Sequence, residues 1–174
     1  MTTGGESGIM DTGGDKVQHL RVNTGGLRNE EPLTPTQINE CTEYAIKLGT
    51  PRDKIKYIEG YATAYGEEFD IVYLGTDVYP AQNAGIDTKS ANSRISWKGA
   101  IAHEVIGHRE TVLNGLALSD EILDEAQASI RAARFAPDLS APERITLLRD
   151  AIYRLNKNGY KISEVRDLLN IKER

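Results

Sequence analysis

Cysteine is nearly absent from this sequence: Cys41 is the only one in 174 residues. Because free cysteine is among the most buried residue types, we expect Cys41 to be a small apolar residue on the buried face of a helix. A single cysteine also excludes an internal disulfide and a zinc site built from cysteine thiolates.

Long apolar runs and an excess of basic residues are missing as well. No stretch approaches the roughly 20 apolar residues that a transmembrane helix requires. The first residues contain neither a basic region nor an apolar core, so no signal peptide is expected. The 21 Lys and Arg residues face 26 Asp and Glu residues, which gives a net charge of −5, and the two signs are interspersed. We therefore expect no nucleic-acid partner and no membrane association.

Residues 1–30 differ in composition from the rest, because three Gly-Gly pairs occur there among Thr, Ser, Asp and Asn. Such a segment cannot bury enough apolar surface to offset the entropy that it loses on ordering. We predict a flexible leader over residues 1–30, with one short strand at residues 17–22 and His19 on the surface. Residues 31–174 are then one domain, long enough to bury a core.

The first part of this domain predicts a helix and a short sheet. Thr34 and Pro35 are typical of the N-cap and first position of a helix, and Gly49 is typical of its end. Residues 54–65 and 69–74 are rich in β-branched and aromatic side chains, which favours strands joined by a hairpin turn.

The remaining sequence is predominantly helical in pattern. Capping residues and apolar periodicity predict four helices. They start at Ser96, at Leu118-Ser119-Asp120, at Pro142 and at Ser163. The sequence therefore predicts an α+β domain, in which a short β-sheet precedes a histidine-bearing helix and a helical C-terminal part.

The first of these helices carries two of the three histidines, in Ile101-Ala-His-Glu-Val-Ile-Gly-His108. His103 and His108 flank Glu104 within an apolar run. Two imidazoles that converge on one point beside a carboxylate are the nucleus of a zinc hydrolase site.

The spacing of the two histidines requires a distorted helix. On a regular helix, residues five apart point about 140° away from each other, so His103 and His108 could not readily bind one ion. A π-bulge absorbs the extra residue and often occurs at functional sites. Gly107, immediately before the second histidine, lets the backbone deform at low steric cost.

The segment His-Glu-Val-Ile-Gly-His resembles the motif of the dipeptidyl-peptidase III family, zinc peptidases with this spacing and with Gly before the second His. In that family, as in the wider gluzincins, the third zinc ligand is a glutamate on a following helix. The segment Leu123-Asp-Glu-Ala-Gln-Ala128 resembles the one that carries it, although Asp124 stands where the family has a glutamate. The resemblance covers about thirty residues.

This resemblance implies a zincin-like metallopeptidase domain with a peptide or protein substrate. His103, His108 and Glu125 are then expected to hold zinc, and Glu104 to act as the general base. Glu121, one turn earlier than Glu125, is the principal alternative ligand, followed by Glu110 and Asp124. A tyrosine or Arg109 is considered as the donor that stabilises the transition state.

Two further hypotheses concern the setting of this domain. A small zincin with a Gly-rich leader is also similar to the metallopeptidase domains of bacterial polymorphic toxins, which implies delivery as part of a larger toxin and an immunity protein as partner. The alternative is a non-catalytic binding domain, in which the helical C-terminal part recognises a protein and the histidines are structural.

Overall fold

The computed structural model describes residues 24–82 and 90–174, in which a small sheet is followed by helices. The strands are β1 (Ile55–Tyr57), β2 (Ala64–Gly66) and β3 (Ile71–Leu74). The helices are α1 (Pro35–Lys47), α2 (Trp97–Ala102), a π-helix (His103–Arg109), α3 (Glu110–Leu113), α4 (Glu121–Phe135), α5 (Ala141–Lys157) and α6 (Ile162–Val165). The predicted α+β class is confirmed.

The sheet has the strand order β1-β3-β2, with β1 parallel and β2 antiparallel to β3. The predicted hairpin is confirmed as the β2–β3 pair, in which Ala64 lies opposite Tyr73. The stretch 54–65 contains two strands, because the chain turns at Gly60, whose φ of 79° favours glycine. The strand order makes β2 an outer strand, and its free edge faces the π-helix that carries both histidines.

Capping side chains fix where most helices begin. Thr34, Ser96, Asp120 and Ser140 each accept a hydrogen bond from a backbone N–H in the first turn that follows. The longest of these helices, α5, has 17 residues, and no helix in the described parts of the chain is both long and apolar enough to cross a membrane.

The predicted cap at Ser163 is wrong. α6 starts at Ile162, so Ser163 lies inside it, and Lys161 precedes it without a side-chain cap. The start is set by packing: Ile162 and Tyr160 contact a buried cluster of α4 and α5, and the Tyr160 hydroxyl donates to Asp120 Oδ2 at 2.6 Å.

α4 lies between two apolar clusters and is thereby fixed in place. The larger one packs the sheet, α1, α2 and the π-helix against the C-terminal half of α4, and it includes the fully buried Cys41, as predicted. The smaller one packs Leu123, Ala126 and Ile130 against α5 and α6. The helix that carries Glu125 is therefore held against both the π-helix and α5.

Residues 24–30 are packed on the domain through Arg28, whose side chain is buried. Its guanidinium donates hydrogen bonds to the backbone carbonyls of Asp77, Val78 and Ile95, at 2.9, 2.9 and 2.7 Å. Burial lowers the pKa of Arg28 to about 10. The packed part of the chain thus begins before residue 31. Residues 1–23, with the predicted strand at 17–22 and His19, lie outside the described residues.

Candidate metal centre

The π-helix brings the two histidines of the motif to one point. In a π-helix the backbone hydrogen bonds join residues five apart, which places such residues on the same side. The Nε2 atoms of His103 and His108 are accordingly 3.1 Å apart. Thr111 closes the distorted segment, since its hydroxyl lies 2.8 Å from the carbonyls of both Gly107 and His108. The distortion that the spacing predicted is confirmed.

The packing of the π-helix against α4 also requires a glycine at position 107, in addition to the backbone freedom that glycine provides. A Cβ at this position would lie 2.7 Å from the Cα, Cβ and carbonyl oxygen of Ala128 on α4. The π-helix and α4 therefore approach so closely that no side chain fits between them here. Because Glu125 lies one turn before Ala128, this approach brings its carboxylate within reach of the imidazoles.

We expect Gly107→Ala to destabilise the fold and weaken metal binding together. The added methyl group meets backbone atoms of α4, so the helices must separate, at a cost of about 1–3 kcal/mol. Thermal denaturation and zinc titration measure the two effects. Gly115→Ala is the control: a Cβ there meets nothing within 4 Å, but the φ of 70° strains any other residue, so this variant should lose stability without losing zinc affinity. An unchanged zinc affinity in Gly107→Ala would contradict the role assigned to this close approach.

Glu125 completes a triangle of donor atoms with the two imidazoles. Its Oε2 lies 3.0 Å from His103 Nε2, and its Oε1 lies 3.3 Å from His108 Nε2. The three candidate ligands, chosen by residue type and by resemblance, thus meet at one place.

The hydrogen-bond partners of the two Nδ1 atoms determine which nitrogen of each imidazole carries a proton. The Ser129 hydroxyl donates its proton to Asp150 Oδ2 at 2.8 Å and therefore accepts from His103 Nδ1 at 2.9 Å. His108 Nδ1 faces Asp124 Oδ2 at 3.3 Å, which can only accept. When the two imidazoles are neutral, both Nε2 atoms therefore direct a lone pair into the triangle, as in metal sites whose histidines are oriented by outer partners.

This arrangement fits a zinc ion. Two imidazole lone pairs and a carboxylate repel one another unless a proton or a metal cation lies among them. Zinc–ligand distances of about 2.0–2.1 Å in tetrahedral geometry separate neighbouring ligand atoms by about 3.4 Å. The separation of the two Nε2 atoms, 3.1 Å, is close to this value, and each lies 3.0–3.3 Å from one of the two oxygens of the Glu125 carboxylate. The same three side chains line a cavity, so a zinc ion held by them would be open to a water molecule.

Glu104 lies beside the triangle, with a carboxylate oxygen within 4.8 Å of donor atoms of His103 and His108. Its Oε2 accepts a hydrogen bond from the backbone N–H of Tyr65 on β2, at 2.9 Å. Burial raises the pKa of Glu104 above its ordinary range, and the two histidines only partly offset this effect. A carboxylate with a raised pKa is suited to take up and return a proton near neutral pH.

Zinc affinity is expected to rise with pH through neutrality. Burial lowers the pKa of His108, but hydrogen bonds to Asp124 and Glu125 outweigh it and hold the pKa well above its ordinary value. Below that raised pKa, zinc must displace a proton from His108, so its apparent affinity should increase about tenfold per pH unit. Chelator competition between pH 6 and 8 measures this slope. Asp124→Asn should move the dependence to lower pH, and a flat profile in the parent would contradict the expectation.

The alternative ligands lie elsewhere. Glu121 is exposed in the first turn of α4, and the ion pairs of the two imidazoles with described residues involve Glu125 and Asp124 instead. Glu110 accepts hydrogen bonds from Arg131 and Arg174. Asp124 faces the outer nitrogen of His108 and so orients a ligand, and its other oxygen accepts from the Leu118 N–H at 2.9 Å.

Arg109 does not face the site. Its guanidinium forms two hydrogen bonds with the Asp70 carboxylate, at 2.8 and 3.0 Å, and contacts the Gly49 carbonyl. The Tyr65 hydroxyl donates to the same Asp70 at 3.0 Å. Burial and this hydrogen bond raise the pKa of Tyr65 to about 12. Both side chains stabilise the β2–β3 turn instead.

A polar network behind His103 was not predicted from the sequence. Asp150 accepts hydrogen bonds from Ser129 and from Arg154 Nε, the latter at 3.0 Å. The sequence does contain a signal for this network: Asp150 and Arg154 are one turn apart on the side of α5 that also carries the buried apolar residues Leu147, Ala151 and Leu155. A charged pair on the apolar side of a helix indicates a buried polar partner.

The candidate ligands open onto a cavity of about 390 Å³ between β2 on one side and the π-helix, α4 and α5 on the other. Comparison with protein-family models, with curated proteins and with solved structures finds no match to this chain.

Proposed function

We propose that this chain is a zinc-dependent peptidase. The observation that carries the proposal is the convergence of two imidazole Nε2 atoms and one carboxylate, from His103, His108 and Glu125, with Glu104 beside them. Two histidines and one carboxylate also suit other divalent metals. The adjacent carboxylate, with its raised pKa, favours hydrolysis and therefore zinc.

Each of these residues has a distinct role in the proposed reaction. A zinc ion supplies an activated water molecule and a Lewis acid for the scissile carbonyl. Glu104 accepts the proton of the attacking water and delivers it to the leaving amine. The backbone N–H of Tyr65 holds Glu104 in place, while Asp124 and Ser129 hold the two imidazoles.

The proposed substrate is an extended peptide. The free edge of β2 lines the cavity from Thr63 to Glu67, on the side where Glu104 lies. An outer strand can bind a peptide through backbone hydrogen bonds, which do not depend on the peptide's sequence. Glu104 and Asp77 accept hydrogen bonds from the N–H groups of Tyr65 and Thr63, so a peptide beside β2 would pair with other backbone groups of this edge and would lie next to the candidate ligands.

Cleavage of an internally quenched peptide library tests this proposal. We expect cleavage by the purified chain, loss of cleavage after dialysis against a chelator, and its return on addition of one equivalent of zinc. Bound zinc without any cleavage, in a library that covers all residue types around the scissile bond, would contradict the peptidase function.

The second candidate is a non-catalytic binding domain. One observation favours it: α5 exposes Ile145, Leu148 and Ile152 on one face, at helical spacing. This function requires no metal, so it predicts no zinc and no change in thermal stability on addition of a chelator. Delivery as part of a larger toxin, with an immunity protein as partner, rests on the sequence resemblance alone.

A further inference from the structure

Two arginines line the cavity, and they differ in how many of their guanidinium nitrogens are engaged. Arg28 uses Nε, Nη1 and Nη2 on backbone carbonyls of the two loops beside it. The guanidinium of Arg154 makes a single hydrogen bond to the described residues, from Nε to Asp150 Oδ2 at 3.0 Å. Its two terminal nitrogens are left without hydrogen bonds within the described ranges. Arg154 is therefore the cavity cation that can bind a substrate.

The guanidinium of Arg154 is both fixed and close to the candidate ligands. Asp150, which holds its Nε, is 2% exposed and is itself held by Ser129. Arg154 Nη1 lies 3.9 Å from Glu125 Oε2, beyond hydrogen-bond distance, and the side chain is 30% exposed on the cavity side. The two terminal nitrogens of Arg154 are thus close to the place where the scissile carbonyl would bind.

The charges in the cavity indicate which substrate group the Arg154 guanidinium would bind. Six carboxylates line the cavity, which exceeds the combined positive charge of its two arginines and one zinc ion, so a further full negative charge, such as a substrate carboxylate, is disfavoured there. Hydrolysis adds no charge to the site. The proton of the water passes to Glu104, and the negative charge moves to the substrate oxygen.

We propose that Arg154 is a catalytic residue that donates hydrogen bonds to the carbonyl oxygen of the scissile bond as negative charge develops on it. This inference rests on the proposed function. Water oxygen bonds to the carbonyl carbon, the carbonyl electron pair moves to its oxygen beside Arg154, and Glu104 takes the water's proton. The C=O bond then re-forms, the C–N bond breaks, and the amine leaves with the proton from Glu104.

Other candidate donors are less well placed. Arg109 and the Tyr65 hydroxyl are both engaged with Asp70. Tyr73 lines the cavity from β3 and is the remaining rival. Fixed donors aimed at a developing oxyanion contribute strongly, and removal of one costs about 10²–10³ in kcat.

Arg154→Gln tests the proposal, using a peptide that the parent is found to cleave. We expect zinc content unchanged and kcat reduced about 100-fold. Affinity for the intact peptide, compared between Glu104→Gln and Glu104→Gln/Arg154→Gln, should be unchanged. Affinity for a phosphinic analogue of that peptide, which resembles the transition state, should fall by a factor similar to that of kcat/KM. Arg149→Gln, the same substitution at an exposed position of α5, is the control.

The outcomes separate this inference from the proposed function. A parent without zinc-dependent cleavage overturns both. Full cleavage by Arg154→Gln overturns the inference alone, as does a loss confined to peptide affinity. Loss of zinc from Arg154→Gln also overturns it, since Arg154 would then act by positioning His103 through Asp150 and Ser129. A 100-fold loss of kcat in Tyr73→Phe, with none in Arg154→Gln, assigns the donor role to Tyr73.

Discussion

Replacing Glu104 with Gln is expected to reduce kcat/KM for peptide cleavage about 10³-fold while the protein retains its zinc. Positioned general acid–base groups contribute about 10²–10⁴-fold, and an amide cannot take up the proton. Glutamine has the same shape, and its carbonyl oxygen can still accept the hydrogen bond from the Tyr65 N–H. The fold and the cavity should therefore persist.

Steady-state kinetics and metal analysis on the same preparations measure this effect. Glu40→Gln, the same change at an exposed position of α1, should match the parent in both. Zinc-dependent cleavage that survives in Glu104→Gln would remove Glu104 from the reaction. Loss of zinc together with activity would instead make Glu104 a ligand, since its carboxylate also lies within 4.8 Å of donor atoms of both histidines.

Replacing Glu125 with Ala is expected to weaken zinc binding by more than about 100-fold. Loss of an outer partner of a ligand costs about 10–100-fold in metal affinity, and loss of a ligand itself should cost more. The carboxylate of Glu125 is held between both imidazoles, which keeps its pKa far below the ordinary range even though burial alone would raise it. It is therefore ionised at any pH at which zinc can bind.

Competition with a chromophoric chelator measures this affinity. Glu121→Ala, one turn earlier on α4, is the matched control and should bind zinc like the parent, because Glu121 is exposed in the first turn of that helix. The opposite pattern, with zinc lost from Glu121→Ala and kept by Glu125→Ala, would contradict the assignment of the third ligand.

The distorted helix could be predicted because one requirement constrains it strongly. If His103 and His108 bind the same ion, a regular helix is excluded by the angle between residues five apart. The capped starts of α1, α2 and α4 were predictable for a similar reason, since Thr34, Ser96 and Asp120 act on backbone groups only three residues away. Such local constraints can be read from a single sequence.

Features that depend on packing between distant segments could not be predicted. The tight contact of Gly107 with Ala128 requires knowledge of how α4 lies against the π-helix. Ser163 has the residue type of a cap, but the packing of Ile162 sets the start of α6. Arg109 was considered as the transition-state donor because no third histidine lies near the motif, whereas Asp70 on a distant turn binds its guanidinium.

The polar network of Ser129, Asp150 and Arg154 could be predicted only in part from the sequence. Ser129 follows Glu125 by one helical turn, so its presence on the same face of α4 was predictable. Its partner Asp150 comes from α5, and only the packing of α4 on α5 brings the two together. Sequence reasoning therefore identified the candidate ligands and missed the groups that orient them.

Metal content tests the central claim most directly. Mass spectrometry on protein purified without a metal-affinity tag, and again after zinc reconstitution and dialysis, should find close to one zinc per chain, with little in His103→Ala. Absence of zinc from the reconstituted parent would contradict the account. Stoichiometric iron in place of zinc would contradict it as well, because the same three side chains would then serve a different chemistry.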